Sequence, residues 1–80
     1  KEMKLYLVHC GFYDEEVFNG VYEFHVDIHM VATSEDDAKK KVRSVPEFTN
    51  KKMHVDGIQE IKLIGNYEIH LERTDLSIET

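Results

Sequence analysis

Cysteine occurs once in this chain, at Cys10, and proline once, at Pro46. A single thiol forms no intrachain disulfide. No run of the 80 residues approaches the length of a membrane span, and Lys1-Glu2-Met3-Lys4 lacks the apolar centre of a secretion signal. Positive charge is scarce, with 10 Lys and Arg against 16 Asp and Glu, a formal net charge of −6. A nucleic-acid backbone or an anionic membrane calls for a basic face, so neither suits this chain. Five histidines soften that charge without reversing it. A phosphate-binding glycine loop, a serine nucleophile elbow, a cysteine pair, an internal repeat and a low-complexity tract are all missing. The lone cysteine suits a reducing compartment, and the cytoplasm is the default location.

What is there fits one small globular domain. Hydrophobic residues make up 41% and charged residues 32% of the chain, ordinary values that argue against disorder. A chain this short buries roughly 60% of its unfolded surface, enough for one modest core but not for a deep active site. The domain is expected over residues 3–72. Residues 73–80 form a polar tail, in which Leu76 and Ile78 hint at a short strand or a docked end.

The clearest local signal is the alternation from Tyr22 to Ala32. Tyr22, Phe24, Val26, Ile28, Met30 and Ala32 fall on one side, and Glu23, His25, Asp27 and His29 on the other. Successive strand side chains point to opposite faces, so this is a strand with one buried and one wet face. Met3 to Cys10 reads as an earlier strand, apolar on both faces and so either central or covered on both sides. Between them, Gly11 to Gly20 reads as a loop ending on the turn pair Asn19-Gly20. Ser34-Glu35-Asp36-Asp37 signals a helix start, with the helix expected over Glu35 to Val45 and stopped or reset by Pro46. Ala38, Val42 and Val45 form its buried stripe, and Lys39, Lys40, Lys41 and Arg43 lie toward its negative end. Glu47 to His54 reads as irregular, anchored by Phe48 and Met53. Val55-Asp56-Gly57-Ile58 reads as a turn into a final hairpin. There a three-residue loop, Ile64-Gly65-Asn66, pairs Leu63 with Tyr67 and Ile61 with Ile69, giving better faces than a two-residue loop.

The expected fold class is α+β, ββαββ, with two layers: a four-stranded mainly antiparallel sheet, order 2-1-3-4, and one helix on one face. The uncovered face is where function is sought.

Two kinds of site compete for that face. His25-x-Asp27-x-His29 projects three metal-competent side chains from one side of one strand. Alternate strand residues sit roughly 6.7 Å apart, which puts His25 about 13 Å from His29. A divalent metal such as zinc would therefore need Asp27, one of those histidines, and His70 or Glu68 from a neighbouring strand. A solvated sheet face that resists aggregation carries the same pattern. The loop from Phe12 to Phe18 sets aromatics among acids, as a cap on the core edge or as a partner-facing patch. Cys10 and His9 are adjacent on a strand and face opposite ways, so they form no dyad, and Cys10 reads as a buried structural thiol.

Several segments together resemble a known family. Met3-Lys4-Leu5-Tyr6-Leu7-Val8, Glu23-x-His25, Ala38-Lys39-Lys40-Lys41 and Val55-Asp56-Gly57-Ile58-Gln59-Glu60-Ile61 are similar to the bacterial domain of unknown function 1543. The likeness runs from Met3 to about Glu72. It implies a small bacterial α+β domain, in some relatives present more than once per chain, and carries no catalytic or binding residue with it.

The sequence thus favours a non-enzymatic binding or self-association module, using an edge strand or the open sheet face. Phe12, Tyr13, Phe18, Tyr6 and Val8 are its candidate contacts, and a second copy of the chain or another protein its partner. The alternative is a metal or small-ligand site at His25, Asp27, His29 and His70. An enzyme has the weakest support, since no nucleophile, base and orienting group can be assembled from spacing.

Overall fold

The structure, a computed structural model, describes residues 2–77. Its elements run β1 (Lys4–Tyr13), a single 3-10 turn (Phe18–Gly20), β2 (Glu23–Ala32), α1 (Glu35–Arg43), α2 (Pro46–Asn50), β3 (His54–Glu60), β4 (Leu63–Ile64) and β5 (Tyr67–Glu68). The class is α+β with one main helix. However, the sheet has three antiparallel strands in the order β2-β1-β3, and β4-β5 form a separate two-stranded ribbon. The expected four-stranded sheet is corrected accordingly. Ile61 still donates to the Leu5 carbonyl at 2.8 Å, after which the chain leaves the sheet.

The first strand runs three residues beyond Cys10, so Gly11 lies in the central strand of the sheet rather than in a loop. It pairs with His25 on one side and His54 on the other. The ribbon is also corrected. Ile64 pairs with Tyr67 and Leu63 with Glu68, which makes Gly65-Asn66 a two-residue loop. Of these two, Gly65 alone takes positive φ, as glycine at the first central position of a tight hairpin turn does. Both ribbon strands are exposed on both faces, so no buried face sets their register and turn chemistry decides it.

Ser34 caps α1, accepting from the Asp37 amide at 3.1 Å. The Asp37 carboxylate accepts from the Thr33 amide and hydroxyl and lies 3.4 Å from the Lys41 ammonium. The Thr33 amide chiefly holds its pKa below the ordinary carboxylate value. Pro46 opens a short second helix where an irregular segment was expected, because its fixed φ and missing N–H suit a first helical position.

Both helices cover one face of the sheet. The core there comprises Tyr6, Val8, Cys10 and Ala32 from the sheet, Ala38 and Val42 from α1, Phe48 from α2, and Met53 from the segment that follows it. Val26, Ile28 and Met30 of β2 pack against it half-buried, while Phe24 and Tyr22 at its start stay exposed. Tyr6 and Val8 were expected on the less protected side; they are 3% and 0% exposed, under the helix. Among the described residues no helix lies over the opposite face. In the tail, 73–77 carry no strand and Leu76 is exposed, while Ile78 lies outside the described residues. No helix among the described residues is long and apolar enough to cross a membrane.

Val42 is fully buried between α1 and the sheet, whereas Val21 is 71% exposed. Val42→Ala should therefore cost about 2 kcal/mol in urea unfolding, from lost transfer energy plus a cavity. Val21→Ala should stay within about 0.5 kcal/mol.

Candidate metal centre

The uncovered face is organised in rows across the three strands. In one row, His25 of β2, Gly11 of β1 and His54 of β3 lie side by side. The next row sets Asp27, His9 and Gly57 abreast, and on the other side Glu23 lies beside Tyr13. Neighbouring strands are about 4.8 Å apart, so His25 and His54 start about 10 Å from each other. With no side chain on Gly11 between them, the two imidazoles lean inward over it.

Asp56 reaches the same spot through an irregularity in β3. His9 pairs with Gly57 and Cys10 with Val55, which leaves Asp56 as the extra residue of a β-bulge. Bulges re-aim side chains in this way. The bulge also explains why Val55 and Ile58, three apart in sequence, both pack against the core. What looked like a turn at Val55-Asp56-Gly57-Ile58 is a kink inside a strand.

Four side chains meet above Gly11. His54 Nε2 lies 2.8 Å from Glu23 Oε2 and 3.1 Å from Asp56 Oδ1. His25 Nε2 lies 3.1 Å from Glu23 Oε1 and 3.3 Å from Asp56 Oδ2. Each carboxylate thus offers one oxygen to each imidazole, and the four groups close a ring. A Cβ on Gly11 would come within 2.6 Å of Asp56 Oδ2, 2.7 Å of His54 Nε2 and 3.0 Å of Glu23 Oε2. The ring roofs Gly11 over and buries it, although its own members are 30–44% exposed.

His9 adjoins the ring. Its ring stacks on His25 at 4.9 Å, and its Nδ1 lies 2.6 Å from Asp27 Oδ1. His9, His25 and Asp56 form one set of potential ligands and Glu23, His54 and Asp56 another, with donor atoms within 4.8 Å of one another in each.

Of the four residues singled out as ligands from sequence, His25 is in the ring and Asp27 touches it through His9. His29 stands one row farther along, opposite Leu7. His70 contacts Glu68 at 2.9 Å and lines a separate groove with Leu5 and Val31. Glu23, His54, Asp56 and His9 were missed as ligands, because three strands contribute and one of them is bulged. The Asp56-Gly57 pair and the spacing of three between Val55 and Ile58 were the available signals.

Among the candidate contact residues, Phe12 stacks on Phe24 at 5.7 Å under the Lys51 ammonium, at the edge of the core. Tyr13 and Phe18 are exposed. Cys10 lies buried beneath the sheet; burial first, then the negative charges of Asp56 and Asp27, push its thiol pKa up. A neutral, enclosed thiol is a poor nucleophile.

No family model, curated protein or solved structure matches this chain.

Proposed function

We propose that this protein is a binding module for a divalent transition metal, held over Gly11 by His25, His54, Glu23 and Asp56. The observation carrying this reading is the spacing of the donors, tightest around Glu23, His54 and Asp56, whose ligand atoms lie within 4.8 Å of one another. Zinc bonds of about 2.0–2.1 Å in a tetrahedron set ligand atoms about 3.3 Å apart. The imidazole–carboxylate separations in the ring run from 2.8 to 3.3 Å. Two neutral imidazoles and two carboxylates also balance the charge of a divalent ion, and imidazole ligands favour zinc, iron, nickel or copper. Without an ion the same atoms face one another as exposed imidazole–carboxylate contacts of 2.8–3.3 Å. Exposed pairs of that kind contribute about 0–1 kcal/mol, so without an ion the cluster adds little to stability.

The self-association expected from sequence remains a second reading, supported by a different part of the molecule. Leu63, Ile64 and Tyr67 are 60–78% exposed on the ribbon that leaves the sheet. The radius of gyration, 14.7 Å, exceeds the about 12 Å usual for a compact chain of this length. The resemblance to the domain of unknown function 1543 is compatible with both readings and assigns no role to any residue.

Zinc titration followed by calorimetry tests the first reading. The intact chain should bind, and at a hundredfold excess over Kd its stability should rise by about 2.7 kcal/mol. His54→Ala or Asp56→Asn should weaken binding on the order of tenfold or more. Acid should release the ion as protons compete for His25, His54, Glu23 and Asp56. No heat and no stabilisation at neutral pH would refute it. Sedimentation at micromolar concentration tests the second reading: a dimer that Tyr67→Ser dissolves is expected, and a strict monomer would count against it.

A further inference from the structure

We infer that the centre holds two ions rather than one, with Glu23 and Asp56 bridging them and His9 completing the second position. This rests on the metal-binding reading and extends it.

The bridging geometry follows from which oxygen faces which imidazole. Asp56 turns Oδ1 toward His54 and Oδ2 toward His25. Glu23 turns Oε2 toward His54 and Oε1 toward His25. One ion on the His54 side would take Nε2, Oδ1 and Oε2, and a second on the His25 side would take Nε2, Oδ2 and Oε1. Carboxylates that present one oxygen to each side are suited to the about 3.5–4 Å separation of two-metal sites.

His9 supplies what a mononuclear centre does not use. A ring nitrogen of His9 lies within ligand distance of both the His25 and the Asp56 donors. Its ring is held by the 2.6 Å contact from Nδ1 to Asp27 Oδ1 and by stacking on His25. A carboxylate on one imidazole nitrogen is the usual way a ligating histidine is oriented and its tautomer fixed. Asp27 is thus a positioning residue, leaving His9 Nε2 as the acceptor for the ion. The sides are unequal: His54 is alone on one, while His9 and His25 share the other.

Charge sets the order of filling. Glu23 and Asp56 neutralise the first ion, and Asp27 adds one negative charge beside the second. The second ion therefore binds more weakly than the first.

Equilibrium dialysis of the full chain against zinc, with the bound metal counted by atomic emission, tests this. Wild type should take up two ions per chain in resolved steps. His9→Ala and His9→Gln should take up one, keeping the tighter step and the circular dichroism spectrum of the parent. Asp27→Asn should weaken the looser step alone. One ion in wild type would overturn the paired centre and leave the single-ion reading standing, whereas none would overturn both. Two ions that persist in both His9 variants would place the second elsewhere and equally overturn the proposal.

Discussion

A missing side chain near the end of the central strand is the constraint on which the uncovered face depends. Gly11 is flanked by histidines on both neighbouring strands, and any Cβ there would occupy the space where Asp56, His54 and Glu23 converge. Antiparallel pairing places His25 and His54 in line with it, and the glycine lets them close over it. The atoms in the way of a Cβ are the ends of long side chains rather than backbone, so glycine is required by the ring and not by the path of the strand.

The two faces of the sheet divide the work. On the helix side, Val8, Cys10 and Ala32 meet Ala38 and Val42 and supply the apolar burial that holds a small domain together. On the other side, polar groups sit partly in water, where their mutual contacts contribute little to stability. The bulge at Asp56 serves both. It keeps Val55 and Ile58 on the core while turning one more carboxylate to the open face. The cluster is thereby fixed to all three strands of the sheet.

Much of this was legible in the sequence where a buried face imposed a period. The alternation in β2 from Val26 to Ala32, the Ser34 cap and the Ala38–Val42 stripe appear as expected, whereas Tyr22 and Phe24 are exposed; the helix ends at Arg43, within two residues of Val45. Legibility failed where periodicity was broken or unopposed by a core. The bulge made Val55 to Ile58 look like a turn, which hid His54 and Asp56 as ligands. In the ribbon, nothing is buried on either face, so hydrophobic matching chose Leu63 opposite Tyr67, while the positive φ of Gly65 chose Glu68. The exchange of faces by Tyr6 and Val8 has the same origin. With apolar residues on both sides of β1, only the side occupied by the helices distinguishes them.

Zinc calorimetry on Gly11→Ala, alongside its thermal unfolding, tests the central constraint most directly. A methyl group at that position should displace Asp56, His54 and Glu23 and weaken the first zinc step by on the order of tenfold or more. The unfolding midpoint should move by only a few degrees, since alanine suits strand backbone at least as well as glycine. Zinc affinity equal to that of the parent chain would contradict the account.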